Sequence, residues 1–273
     1  MHAFDHAARA TKGARDYQED ASGFWPPETA AAGGADVPTA NATRLVAVLA
    51  DGMGGHTGGA LASRMVCDSF IAAYAGRNGA RHERLLEALQ SANDAIASKV
   101  MANPILSGMG TTLVAVVFAD DGVEWVSVGD SPLLLYRRGE IAHLNEDHSL
   151  APELDRLAAL GRMTPEEAKA DPRRHMLRSA VTGEDLDLVD VSRHPLVLEP
   201  GDYVILASDG LQTLETTEIE RIVAAYAKDG SEAVASALIR AVEAVRDPYQ
   251  DNTTVIAVRP VAANGGDARP QEN

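Results

Sequence analysis

The chain has 273 residues, 45% of them hydrophobic, enough for one domain with a well-buried core. Its 24 basic against 40 acidic residues leave a formal charge of −16, which argues against a sequence-independent grip on nucleic acid or an anionic membrane and suits the holding of cations. One cysteine, Cys67, rules out an internal disulfide and a zinc–thiolate cluster, and with no apolar run long enough to span a bilayer and no apolar secretion block at the start, a cytoplasmic protein is expected.

In chain order, residues 26–43 (PPETAAAGGADVPTANAT) are poor in large apolar side chains and read as a loop insertion. LVAVLA at 45–50 is apolar on both faces, as a strand sandwiched between layers would be. Ala62, Met65, Val66, Phe70 and Ala73 then fall on one helical stripe, with Cys67 expected there as a small buried hydrophobe. Leu85, Leu86, Leu89, Ile96 and Val100 form a second stripe. TTLVAVVF at 111–118, EWVSV at 124–128 and LLLY at 133–136 follow as strands. The turn signals Asp120-Asp121-Gly122 and Arg137-Arg138-Gly139 suggest an antiparallel meander there.

Residues 150–183 mix helical and loop patterns, carry many charges, and read as a surface flap or lid. YVILA at 203–207 and TTVIAV at 253–258 complete the strands. Between them run two more helical stripes, Ile219, Ile222, Val223 and Tyr226 behind a capping box at Thr217 and Glu220, then Val234, Leu238, Val242 and Val245. Residues 260–273 read as a disordered tail, which leaves 1–259 as a single domain. Grouped helices around grouped antiparallel strands give an α+β layered protein.

Four acids fall at strand ends. Asp51 follows LVAVLA, Asp130 follows VSVG, Asp209 follows YVILAS, and Asp251 precedes TTVIAV. Glycine beside three of them, in ADGMGG, VGDS and ASDGL, allows sharp turns and close approach of a ligand to the backbone. Oxygen donors of this kind suit magnesium or manganese. Glu19 and Asp20 in GARDYQEDA add a further acidic pair, and Arg15 beside them offers a planar fork to phosphate oxygens.

GARDYQEDA, LADGMGGH, GMGTT, VGDS, EDHS, ASDGL and QDNTT, in that order, resemble the motif series of the metal-dependent protein phosphatases, the type 2C serine/threonine phosphatases, in their bacterial form. The likeness runs from about residue 11 to 258, and the ordered series is far more specific than any one motif. It implies a four-layer α-β-β-α sandwich, two antiparallel sheets flanked by helices, with two Mn2+ or Mg2+ ions at one end. By that resemblance Asp51 would bridge both metals and Gly52 would lend its carbonyl oxygen. Asp209 and Asp251 would ligate one metal, and Asp20 the other, directly or through water. Asp130 with Asp209 matches a third metal site, and Arg15 would bind the substrate phosphate.

The implied reaction is direct hydrolysis of phosphoserine and phosphothreonine by a metal-bridging hydroxide, with Arg15, Asp51 and Asp209 as its catalytic set and no phosphoenzyme. Phosphoproteins, a Ser/Thr kinase among them, are the implied partners of a monomeric enzyme that opposes that kinase. Two departures stand out. Met53 occupies the place where many eukaryotic members carry histidine, and a metal-bound water near Asp130 is then expected to protonate the leaving group. Pro132 stands where arginine is frequent.

Plainer readings accompany these. Any one acid at a strand end is more often a solvated turn residue, and Arg15 could simply pair with Glu19. His56 and His148 read as structural, and Thr111 and Thr112 as hydroxyls bonding locally at a strand start. Arg173, Arg174, His175 and Arg178 form a basic run, more often a solvated face than a substrate contact. DLDLV at 185–189 matches the pattern of aspartate-nucleophile phosphatases, but its alternation reads as a half-exposed strand and no buried strand precedes it. A non-catalytic phosphoprotein receptor on the same fold would be expected to have lost its metal acids.

Overall fold

A computed structural model describes residues 2–27, 44–53 and 57–262. In chain order the elements begin with β1 (His2–Thr11), β2 (Ala21–Trp25), β3 (Leu45–Ala50), β4 (Gly52–Met53), α1 (Thr57–Ala75) and α2 (Arg81–Ala102). Five strands follow, β5 (Gly110–Thr111), β6 (Leu113–Ala119), β7 (Gly122–Val128), β8 (Leu133–Arg137) and β9 (Glu140–His143). The chain ends with α3 (Ala151–Ala159), α4 (Pro165–Ala170), β10 (Asp190–Val191), β11 (Tyr203–Ala207), α5 (Thr216–Tyr226), α6 (Ser231–Val245) and β12 (Thr253–Ala262).

Strand β3 explains the layering. Successive side chains of a strand point to opposite faces, and here both faces are covered. Leu45, Ala47 and Leu49 meet Leu133, Leu135, Val204, Leu206, Ile256 and Val258 in a core between two sheets. Val46, Val48 and Ala50 face Val66, Phe70, Leu85, Leu89 and Ile96 of α1 and α2. On the far side Ile205, Ala207, Val255 and Ala257 pack on Ile219, Val223, Val234, Leu238 and Val242 of α5 and α6. The result is helices, sheet, sheet, helices. One sheet runs β1-β12-β11-β8-β9 and the other β10-β7-β6-β3-β2, every pairing antiparallel.

Several local expectations need correction. The middle strands do not form one meander: β6 and β7 pair in one sheet, β8 and β9 in the other. The chain changes sheet at Gly129-Asp130-Ser131-Pro132, so Asp130 sits at a crossing between layers. Thr217 and Glu220 do not form a capping box, because the N-cap of α5 is Glu215, two residues before Thr217. Glu220 instead accepts a hydrogen bond from Ile141 N at 3.0 Å and ties α5 to β9. Residues 185–189 are not a strand; only Asp190 and Val191 pair, with β7.

Strand β1 was not legible as one, since HAFDHAARAT is rich in alanine and charge. It is fixed by ten pairings with β12, and its buried Asp5 is satisfied by Arg259 Nε at 2.7 Å and Ser231 N at 3.0 Å. That pairing carries β12 on to Ala262, so residues 260–262 belong to the sheet and not to a tail. The remainder of the expected tail, the 28–43 part of the loop insertion and His56 lie outside the described residues.

Candidate metal centre

Asp51 is placed by the strand before it and the threonines beside it. Because β3 is buried on both faces its end cannot shift, and three hydrogen bonds then fix the backbone of the next residue. Asp51 N donates to Thr112 Oγ1 at 3.0 Å, Thr112 N donates to Asp51 O at 2.9 Å, and Thr111 Oγ1 donates to the same oxygen at 2.7 Å. Thr112 Oγ1 also meets Ser131 Oγ at 2.7 Å, which links Asp51 to the crossing that carries Asp130. Thr111 Oγ1 also bonds locally, to Thr112 O at 3.0 Å, as expected at a strand start, and both threonine hydroxyls reach across strands as well. At Gly52 a side chain has no room: a Cβ there would run into Gly59 O and Glu19 O. Backbone from three separate segments meets at that point, and glycine is the residue that permits it.

Asp20 is brought in from the other side of the chain. Its Oδ2 accepts from Thr254 Oγ1 at 2.7 Å and Ser208 Oγ at 2.8 Å. Its Oδ1 is buried and has no hydrogen-bond partner among the described residues. Asp209 opens a 3-10 turn (Asp209–Thr213) just past β11 and lies within hydrogen-bond reach of Asp51. Asp251 accepts from Arg15 Nη2 at 2.5 Å and from Asn252 N at 2.8 Å. Arg15 thus pairs with Asp251.

Two residues unmarked by the sequence reading hold this end together. Asn252 donates from Nδ2 to Lys12 O and Tyr17 O, both at 2.9 Å, and accepts from Glu19 N at 2.7 Å. The loop bearing Arg15, Glu19 and Asp20 is so pinned to the QDNTT segment. Gln250 extends the same clasp, with Ala14 N donating to its carbonyl at 2.8 Å and its Nε2 donating to Gly210 O at 3.1 Å. Their amide side chains inside QDNTT were the available signal: an amide supplies donor and acceptor together, as a two-loop clasp needs. His148 has the structural place expected of it, buried with Nδ1 accepting from Gly129 N at 3.2 Å, and burial holds its pKa below the ordinary value.

Arg15, Asp51, Gly52, Asp130, Asp209 and Asp251 line one open cleft of about 610 Å3. Asp20 is the one expected residue set back from that surface. The carboxyls burden one another. Burial first, then Asp20, Asp209, Asp130 and Asp251, push Asp51 well above the usual carboxylate range. Burial, then the charge of Asp251, raise Asp209 against a hydrogen bond with Asp51, and burial lifts Asp20 to about 6 against the pull of its two hydroxyl partners. Asp130 rises to about 7, from burial and then Asp209 and Asp147.

Among the described residues no three Asp, Glu, His or Cys side chains are closed tightly enough to hold an ion as they stand. Two observations nevertheless fit a divalent cation. The buried, unpartnered Asp20 oxygen lacks the positive partner that burial of a carboxylate demands, and clustered buried acids with raised pKa values are what a bound cation relieves. The donor set is all oxygen, as magnesium and manganese prefer.

The sequence model of protein phosphatase 2C matches residues 36–252. The serine/threonine protein phosphatase PstP of Mycobacterium tuberculosis is 36% identical over 233 residues, 83% of this chain and 42% of PstP, so the chain spans less than half the length of that relative. Protein phosphatase PhpP of Streptococcus pneumoniae is 35% identical over 188 residues, 67% of this chain and 74% of PhpP. The solved catalytic domain of PstP in complex with two manganese ions aligns with a TM-score of 0.72 at 29% identity, over 96% of this chain and 100% of that one. The chain belongs to the protein phosphatase 2C family.

Proposed function

We propose that the chain is a metal-dependent protein serine/threonine phosphatase that hydrolyses phosphoserine and phosphothreonine directly and opposes a Ser/Thr kinase. The observation that carries this reading is the convergence of Asp51, Asp130, Asp209, Asp251 and Arg15 on one cleft, with Asp20 behind Asp51. The relatives named phosphatases and the manganese-bound neighbour support it.

Asp51, the Gly52 carbonyl, Asp20, Asp209 and Asp251 would hold two divalent cations, with Asp130 and Asp209 available to a third. Bound there, the cations would supply a water activated near neutral pH and neutralise phosphate charge. The chain's own residues do the rest. Thr111 and Thr112, the latter braced by Ser131, fix the backbone of Asp51, so its side chain starts from a set position at the cleft. Arg15, half-exposed at the cleft mouth, exchanges its Asp251 partner for the equatorial phosphate oxygens and holds them in line. Met53 beside them offers no proton, which leaves the leaving oxygen to be protonated from solvent near Asp130.

Residues 150–183 would act as a flap over this cleft, the chain as far as the end of β12 at Ala262 as one catalytic domain, and the enzyme as a cytoplasmic monomer. In support of the location, among the described residues no helix is long and apolar enough to cross a membrane. The test is hydrolysis of a phosphothreonine peptide with manganese, magnesium, calcium or excess chelator, beside Asp209→Ala. Turnover that needs manganese or magnesium and vanishes in the variant is expected; turnover indifferent to chelator overturns the reading.

A further inference from the structure

The basic run of the flap divides in the fold. Arg173 is spent on Asp171 at 2.8 Å and Arg174 on Asp155 at 2.8 Å, while His175 and Arg178 line the cleft. Opposite in charge, Glu184, Asp185 and Asp187 line it as well, all three exposed. None of the three makes an ion pair within the described residues, unlike Asp155 and Asp171 close by.

Their backbone is held in place from beneath. Buried Asn93 of α2 donates from Nδ2 to Glu184 O at 2.7 Å and accepts from Gly183 N at 2.9 Å. Gly183 has a φ of +85°, and a Cβ there would lie 2.5 Å from Ala97 N, so the wall sits tight on α2 and only glycine fits. Leu186 and Val189 pack into the helix-side core, and Ser179 clasps Leu188 through two bonds of 2.9 and 3.1 Å. The pattern of DLDLV is thereby explained without a phosphoaspartate: Leu186 and Val189 anchor by their side chains and Leu188 by its backbone, while Asp185 and Asp187 line the cleft.

Cations held by Asp20, Asp51, Asp209 and Asp251 would neutralise the floor of the cleft but leave this wall negative. A phosphopeptide laid across the floor must run its flanking residues along it. We propose that Glu184, Asp185 and Asp187 select phosphopeptides carrying lysine or arginine next to the phosphorylated residue, a specificity that rests on the phosphatase reading above. Charge complementarity of this kind acts through association and KM more than through the chemical step.

The test compares two phosphothreonine peptides of equal length, one flanked by arginines and one by glutamates, with p-nitrophenyl phosphate as a substrate that cannot reach the wall. Because single exposed pairs are each worth only a few-fold, the wild type is expected to prefer the basic peptide by on the order of tenfold in kcat/KM, less at high salt. The triple variant Glu184→Gln, Asp185→Asn, Asp187→Asn should lose that preference through KM, with p-nitrophenyl phosphate turnover and the melting curve unchanged. Equal turnover of both peptides by the wild type, or a preference that survives the triple variant, overturns the wall alone. Absence of manganese-dependent turnover of all three substrates overturns the phosphatase reading and this inference with it. Should the triple variant melt early, Asp185→Asn and Asp187→Asn taken singly carry the test, each expected to lose part of the preference.

Discussion

Arg15 Nη2 lies 2.5 Å from Asp251 Oδ2 at the mouth of the cleft, although 236 residues separate the two in sequence. The guanidinium proposed to take phosphate and a carboxylate proposed to hold metal occupy each other. Arg15→Ala should therefore lower kcat/KM on a phosphopeptide by about 10²–10³, the cost of one charge-stabilising donor. It should also weaken competitive inhibition by inorganic phosphate while leaving Mn2+ affinity intact or tighter. Steady-state kinetics with a manganese titration check this; loss of Mn2+ affinity in the variant would contradict it.

Thr112 is the hinge between Asp51 and Ser131, through bonds of 3.0 and 2.7 Å. Thr112→Val keeps the volume and removes both. It leaves Asp51 N without an acceptor at a buried point, which costs about 1–3 kcal/mol. The expected result is a lower melting temperature together with weaker Mn2+ binding, and Thr112→Ser should restore the binding. A variant with normal manganese affinity would show that Asp51 does not depend on this hydroxyl.

The clustered acids set a pH dependence for the metal-free protein. Folded, Asp20 titrates at about 6 and Asp130 at about 7, both raised chiefly by burial. In the unfolded chain an aspartate titrates near ~3.9, so between about pH 4 and 7 the folded state holds more protons than the unfolded one. The stability these groups contribute is thus full below about pH 4 and is lost as pH rises through 6 to 7. Thermal melts of chelated protein should fall between about pH 5 and 7.5, and added Mn2+ should raise the melting temperature more at the upper end. A chelated protein whose melting temperature climbs over that interval would contradict the account.

Leu49 is fully buried between the two sheets, one residue pair ahead of Asp51. Leu49→Ala should cost about 2–5 kcal/mol from lost burial and the cavity left behind. Urea unfolding measures this directly. If β3 is what fixes Asp51, the variant should also bind manganese less tightly at temperatures where it remains folded.

Much of the fold was legible because its strongest signals are local. LVAVLA and YVILA became strands with the bounds expected of them, and the four helical stripes became α1, α2, α5 and α6, since uninterrupted apolar runs and 3.6-residue spacing have few other solutions. What stayed hidden was nonlocal. β1 carries no apolar alternation of its own and exists because β12 pairs with it, as Asp5 exists inside because Arg259 reaches it. The division of β6 to β9 between two sheets was invisible as well, because a hairpin signal does not say where the next hairpin goes. The acids of the site could be named from motif order, yet not their restraints: Thr254 on Asp20 and Asn252 on Tyr17 span more than 230 residues each.

The central claim is that Asp20, Asp51, Asp209 and Asp251 form one cation site. Titration of chelator-stripped protein with Mn2+, followed by the paramagnetic resonance of free manganese, tests it without reference to catalysis. Two or more ions per chain, with at least one lost in Asp209→Asn and in Asp51→Asn, is the predicted result. A chain that takes up no manganese, or takes it up equally after both substitutions, would contradict the account.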